Sequence, residues 1–167
     1  MTVREAVSAQ DYEAFSVLID EYVSWLRDRY EREEWLVGDV LGMQALQTEM
    51  QNLASVYAPP RGRAFIAELN GEVCGCGAYR RLDASVCEMK RVFVPARFQG
   101  NGIGRSICNG LLDAARNDGF RAMRLDTGKL MTEAIALYQS VGFAPIEPYL
   151  DYPPEILPYF LFMERAL

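Results

Sequence analysis

The sequence predicts a mixed α+β (α/β) fold built around one central sheet. Three observations carry that prediction. The hydrophobic repeat switches between a period of two and a helical period in the order βαα-βββ-αβ-αββ. Turn residues punctuate the switches, above all Ala58-Pro59-Pro60-Arg61-Gly62 and Asn70-Gly71. The chain has 167 residues, half of them hydrophobic and 24% charged, which suits one domain spanning 1–167. A chain of this size buries about 70% of its extended surface, enough for a core without disulfide or metal staples.

Each element follows from its residues. Val3 to Ala6 reads as a short strand and Ser8 as an N-cap. Phe15, Leu18, Ile19, Tyr22, Val23 and Leu26 recur at spacings of three and four, one face of a helix from Asp11 to about Arg32. Residues Glu33 to Gly38 read as a loop, and a weaker helix covers Val40 to Leu53. Strands follow at Ala64–Leu69, Val73–Leu82 and Val86–Val94, the first two joined by the hairpin signal Asn70-Gly71. Gly75 and Gly77 within the middle strand indicate a bulge or a close approach. A glycine-rich loop, Gln99 to Gly104, opens a helix to about Asn117, closed by Gly119. Arg121–Asp126 alternates as a strand. Thr132–Val141 is a helix with Gly142 at its C′ position. Short strands near Ala144–Glu147 and Tyr159–Arg165 complete the chain.

Composition excludes several function classes. Seventeen Lys and Arg stand against 23 Asp and Glu, a net charge of −6, so non-specific nucleic-acid binding through phosphate neutralisation is not expected. The chain has no histidine. Ser-His-Asp triads, Cys-His dyads and HExxH zinc sites are therefore out, and acid–base work falls to Asp, Glu, Tyr, Cys, Lys or water. Cys74 and Cys76 form CxC rather than CxxC, and with Cys87 and Cys108 they read as buried thiols in a reducing compartment. No metal site is expected. No apolar run follows Met1 and no stretch has the length of a membrane span, so a cytoplasmic protein without membrane partners is expected.

One segment carries chemistry. Val92-Phe93-Val94-Pro95 leads out of a strand, Gln99-Gly100-Asn101-Gly102-Ile103-Gly104 turns, and Arg105 continues into a helix. Alternating glycines tolerate positive φ and let backbone approach a ligand, while the helix start supplies free N–H groups and a positive dipole end. That combination suits a phosphate or pyrophosphate. The spacing G-x-G-x-G is not the dinucleotide pattern G-x-G-x-x-G, Asp126 serves that pattern's acidic position only awkwardly, and no G-K-[ST] is present. A tight turn with no ligand is the plainer alternative. Charge placement favours the anion site: Arg80 to Lys129 holds ten Lys and Arg against five acids, whereas the rest of the chain holds seven against eighteen. Downstream, Ala134, Leu137, Tyr138 and Val141 share a helix face, with Gly142-Phe143 at its end; read alone, Tyr138 is a core tyrosine with its hydroxyl tied off.

These segments, in this order, resemble the GNAT superfamily of acyl-CoA-dependent N-acyltransferases. The family's Q/R-x-x-G-x-G/A motif corresponds to Gln99-Gly100-Asn101-Gly102-Ile103-Gly104, and its A-x-x-L-Y-x-x-x-G-F helix to Ala134, Leu137, Tyr138, Gly142 and Phe143. The resemblance covers nearly the whole chain. It implies a GNAT-like fold: a central mixed, mostly antiparallel sheet of about six to seven strands with about four helices. It implies acetyl-CoA as acyl donor, no metal, and frequent homodimers. Family members often carry Asn three residues before the helix Ala, where this chain has Met131. The run Cys87-Glu88-Met89-Lys90-Arg91 looks like bacterial members that act on small molecules.

By that resemblance, Val92, Phe93 and Val94 pair with the pantetheine arm, and a backbone N–H there acts as an oxyanion-type donor worth roughly 3 kcal/mol. Gln99 to Arg105 hold the pyrophosphate, with Met131 and Ala134 beside the cofactor. The implied reaction moves an acetyl group to a primary amine by direct transfer in a ternary complex, with no enzyme nucleophile. Tyr138, protonated at neutral pH, is the expected general acid for the departing thiolate. Glu88 is the expected base, acting through water, with Lys90 and Val92 on its face by alternation. An ion pair with Lys90 or a neighbouring Arg is the other reading of Glu88. The acceptor, a small-molecule amine of cationic character, is expected near Trp25, Tyr30, Glu33, Glu34, Trp35, Tyr149, Asp151 and Tyr152. A non-catalytic acyl-CoA-binding module is the competing reading, and Tyr138 argues against it.

Overall fold

The computed structural model describes residues 1–31 and 43–167. Its centre is a seven-stranded sheet in the order β1-β2-β3-β4-β5-β7-β6. The strands are β1 Thr2–Glu5, β2 Gly62–Leu69, β3 Glu72–Arg81, β4 Val86–Phe93, β5 Ala122–Gly128, β6 Ala144–Ile146 and β7 Phe160–Ala166. All neighbours pair antiparallel except β4 and β5, which are parallel. The α-helices among the described residues are α1 Ala9–Arg29, α2 Met43–Gln51, α3 Leu53–Tyr57, α4 Ile103–Asn117 and α5 Thr132–Ser140.

Local chemistry sets the boundaries. Ser8 caps α1: its Oγ accepts from Asp11 N–H at 3.1 Å, and Asp11 Oδ2 accepts from Ser8 N–H at 2.9 Å, a reciprocal capping box. Arg4 of β1 donates to Asp11 Oδ1 at 2.8 Å, which ties strand to helix. Asn70 and Gly71 both take positive φ, 54° and 83°, and make the tight β2–β3 hairpin. The helix expected over 40–53 is two helices where it is described, because Asn52 leaves helical geometry at φ −140°, ψ 40°. Residues 40–42 of that expectation, and Arg32, lie outside the described residues.

Two helix C-termini share one device. Gly119 and Gly142 take positive φ just beyond α4 and α5. At α5, Phe143 N–H donates to Tyr138 O at 3.0 Å and Gly142 N–H to Gln139 O at 3.0 Å. At α4, Phe120 N–H donates to Ala115 O and Gly119 N–H to Arg116 O. Both are Schellman caps, so Gly142-Phe143 fixes where Tyr138 stands.

The sheet separates two cores. Ile103, Ile107, Leu111 and Tyr138 from α4 and α5 pack on one face with Tyr79, Met89 and Met123. Phe15, Leu18, Ile19 and Tyr57 pack on the other with Ile66, Cys76, Ala78 and Phe93. All four cysteines are free and buried. Burial pushes the Cys87 and Cys108 thiols up to about 12, so they behave as packing groups. Among the described residues no helix is long and apolar enough to cross a membrane.

Candidate active site

A break in the sheet makes the site. β4 and β5 pair only at Val86↔Ala122, Cys87↔Met123 and Glu88↔Arg124. Beyond Glu88 they part, and a cleft of about 610 Å³ opens between them. A bulge starts the divergence. Cys76 faces Phe93 and Ala78 faces Lys90, so Gly77 of β3 opposes both Arg91 and Val92 of β4. Arg91 sits in the left-handed region at φ 60°. A Cβ on Gly77 would meet Ile107 Cγ2 at 2.7 Å and Val92 Cγ2 at 3.2 Å, so glycine there admits α4 against the bulge. Both outcomes expected of the β3 glycines, bulge and close approach, meet at this position.

The bulge also corrects the expected alternation. Val92 packs with the α4 core, whereas Glu88 and Lys90 point to the opposite face. The extra residue flips every side chain after Arg91, because strand alternation has a period of two.

One end of the cleft is built for an anion. After Pro95, one 3-10 turn (Ala96–Phe98) leads to Gly100 and Gly102, with φ 82° and 73°. A Cβ on either would find open space, so conformation, not crowding, calls for glycine here. Gly102 is the N-cap of α4 and offers no side chain to the first turn. Ser106 N–H is the first to bond back, to Gly102 O at 3.0 Å. The N–H groups of Ile103, Gly104 and Arg105 are left for a ligand. Gly104 has another reason: its Cβ would stand 3.0 Å from Leu137 Cδ2 of α5. Asn101 holds the loop from outside, donating to Phe98 O at 3.0 Å, and Gln99 Nε2 donates to Val94 O at 3.1 Å.

Midway along the cleft stands Tyr138. The residue is 8% exposed, and its ring meets that of Phe143 edge-on at 6.0 Å. Its hydroxyl makes no hydrogen bond among the described residues. Among the described residues no buried side-chain oxygen or nitrogen lacks a partner, so the hydroxyl reaches cleft space. Burial, then the neighbouring Cys108, Tyr22 and Asp126, hold its pKa well above the usual value of 10. It is a protonated donor with no acceptor among the described residues.

The other end is aromatic around one carboxylate. Asp126 lines the cleft; its Oδ1 receives Lys90 Nζ at 3.1 Å and its Oδ2 the Tyr152 hydroxyl at 2.8 Å. Burial works to raise the Asp126 pKa, but Lys90 and Tyr152 outweigh it and leave the carboxyl below its ordinary value. Tyr22, Trp25 and Phe93 cluster on one side, with ring centroids 5.3 to 6.3 Å apart. Tyr152 and Phe160 stand on the other, 5.0 Å apart. Tyr30 and Met131 pack together beneath, with Leu26 and Ile156.

All the catalytic and cofactor-binding residues anticipated from the sequence line this cleft except Glu88 and Asn101. Glu88 is 0% exposed. Its Oε2 holds Arg80 at 2.8 Å and its Oε1 accepts from Tyr149 at 2.8 Å, with Lys90 at 3.9 Å. The ion-pair reading of Glu88 is the one its geometry follows, and Asp126 is the carboxylate that faces the cleft. Asp126 was legible only as a strand end and as an awkward match to the dinucleotide pattern's acidic position, because its exposure to the cleft depends on strand register. Met131, at the N-cap of α5, turns its side chain into the apolar cluster rather than capping the helix. Glu33, Glu34 and Trp35 lie outside the described residues, and Tyr149 and Asp151 do not line the cleft.

A family model described as "Acetyltransferase (GNAT) family" matches residues 19–143. The chain belongs to the GNAT family. An "IAA acetyltransferase" of Azospirillum brasilense is 35% identical over 151 residues, covering 90% of this chain and 88% of that protein. An acetyltransferase of Streptococcus agalactiae shares the fold, with a TM-score of 0.74, 21% identity, and 99% and 98% of the two chains covered. So does a Thermoplasma acidophilum N-acetyltransferase solved with coenzyme A, with a TM-score of 0.69, 17% identity and full coverage of both chains. As a GNAT enzyme the protein is an acyltransferase that uses acetyl-CoA. The loop Gln99–Arg105, with free N–H groups and no Cβ in the way at Gly100 and Gly102, fits the diphosphate of that donor.

Proposed function

We propose that the protein transfers the acetyl group of acetyl-CoA to a primary amine of a small molecule, directly between two substrates bound at once. The observation that carries this is the continuity of the cleft through the parted β4 and β5. An anion loop lies at one end, Asp126 within aromatic walls at the other, and the Tyr138 hydroxyl between them. The donor supplies an acetyl thioester. In this reading Val92, Phe93 and Val94 offer the strand edge that β5 has left to the pantetheine arm. Gln99 to Arg105 hold the diphosphate, and Ala134 and Met131 flank the arm.

The bond that forms is amine nitrogen to acetyl carbon, and the bond that breaks is carbon to sulfur. Tyr138 gives its proton to the departing sulfur, which suits a hydroxyl that stays protonated and unpartnered. The acceptor arrives as a cation, drawn by Asp126 and the faces of Trp25, Tyr22 and Tyr152. One proton leaves the ammonium through water along the Asp126–Lys90 side before attack, and the second, lost from nitrogen as the amide forms, restores the Tyr138 hydroxyl. Glu88 acts one step removed: it fixes Lys90, Arg80 and Tyr149 rather than touching the amine. The name of the Azospirillum relative supports a small-molecule acceptor. A cytoplasmic setting belongs to the same reading, supported by four free thiols in the core.

Thiol release from acetyl-CoA, measured over a panel of small primary amines and N-terminal peptides, tests it. Turnover with small cationic amines in preference to peptides is expected. Thioester binding with no thiol release on any small amine would contradict the proposal.

A further inference from the structure

We propose that Glu49 is a positioning residue for acyl transfer: its two-pronged ion pair with Arg91 holds the β4 bulge in the shape that presents the strand edge to the donor. Arg91 has φ 60°, a conformation that a side chain with a Cβ disfavours and that nothing in an arginine encourages. Its guanidinium is fixed at both prongs, Nε to Glu49 Oε1 at 2.8 Å and Nη2 to Oε2 at 3.0 Å. The side chains are 13% and 11% exposed. The fully buried Tyr57 adds its hydroxyl to Oε1 at 2.7 Å. The carboxylate thus comes from α2, its support from α3, and the residue they hold is the one where β4 changes register.

Stability alone is a poor reason for this arrangement. A buried ion pair offsets its desolvation only with good geometry, and an apolar pair often stabilises as well. What the pair does provide is direction. A bidentate fork fixes orientation as well as distance, and Arg91 directly precedes the Val92–Val94 edge. Burial works to raise the Glu49 pKa, and Arg91 and Tyr57 outweigh it, so the clamp is charged. The inference rests on the reading that the β4 edge carries the pantetheine arm.

Amide hydrogen exchange at residues 91–94, with and without acetyl-CoA, tests it alongside calorimetric affinity. The quantity read is the ratio of bound to free protection within each protein, which general loosening of the fold does not mimic. In the wild type acetyl-CoA slows exchange at 91–94. In Glu49→Gln acetyl-CoA still binds through the glycine loop, but the slowing at 91–94 falls about tenfold, the scale of a lost charge-assisted contact. Tyr57→Phe keeps the ion pair and removes one hydrogen bond, and gives a smaller loss of the same kind. It carries the test alone should Glu49→Gln not fold. Wild-type protection in the folded variants overturns the proposal. No protection at 91–94 in the wild type overturns instead the assignment of the β4 edge, and the proposal with it.

Discussion

Lys90 and Asp126 form an ion pair, Nζ to Oδ1 at 3.1 Å, across the gap where their strands have stopped pairing. The last backbone pair of β4 and β5 is Glu88 with Arg124. Continued two residues, that register would place Lys90 opposite Asp126. The side chains therefore take over where the ladder ends, on the face away from α4, and set how far the strands part. Both are largely buried, at 16% and 9% side-chain exposure. The Tyr152 hydroxyl completes the carboxylate's partners.

Asp126→Asn leaves the buried Lys90 ammonium only the more distant Glu88, at 3.9 Å, as counter-charge and removes the anion facing the acceptor. The expected result is an acceptor KM raised about tenfold or more, the scale of a charged hydrogen bond. The KM for acetyl-CoA, bound at the far end, stays near the wild-type value. Steady-state kinetics with each substrate varied in turn checks this, and a rise in both KM values together would point to collapse of the cleft.

Tyr138→Phe should lower kcat about a hundredfold, the low end for general acid catalysis. The hydroxyl has no partner among the described residues, and the ring keeps its edge contact with Phe143. Melting temperature and coenzyme A affinity should therefore hold. Unchanged turnover would reduce Tyr138 to packing.

The pH dependence follows from the sign of the Tyr138 shift. Its pKa in the folded protein is raised, so the donating form is present below that value and lost only as pH rises through it. At saturating substrates, kcat should show no alkaline fall below about pH 10, the unperturbed tyrosine value. A pH–rate profile corrected for thioester hydrolysis measures it. A fall centred well below that value would assign the proton to another group.

Gly102 and Gly104 should fail in different ways. Valine at Gly102 finds open space but a φ of 73°, which costs roughly 1–2 kcal/mol, and its side chain stands before the N–H groups of α4. Coenzyme A affinity should fall sharply while the protein remains folded. Valine at Gly104 drives into Leu137 and separates α4 from α5, so thermal stability should fall with it, by about 1–3 kcal/mol for overpacking. Calorimetric titration and thermal melts of the pair separate the two causes.

Much of this molecule was legible as sequence because the signals were local. Ser8, Asn70-Gly71, Gly119 and Gly142 each act within a few residues of themselves, and each does in the structure what its type predicts. The turn at the glycine loop was legible for the same reason, whereas the role expected of Tyr138 came only from the family resemblance. What escaped depends on register between distant segments. Nothing in Arg91 marks a left-handed residue, so alternation carried past it put Val92 on the wrong face. Glu88 and Asp126 differ only in which strand neighbour each meets. One is sealed by Arg80 and Tyr149, and the other opens on the cleft. The break in the second helix at Asn52 was equally hidden, since asparagine is tolerated in a helix as well as at its end.

A crystal structure with acetyl-CoA bound tests the central claim most directly. The account predicts the diphosphate on the N–H groups of Gly100 to Arg105, the pantetheine arm along Val92–Val94, and the thioester sulfur within hydrogen-bond reach of the Tyr138 hydroxyl. A donor seated outside the β4–β5 gap, or a sulfur turned away from Tyr138, would contradict it.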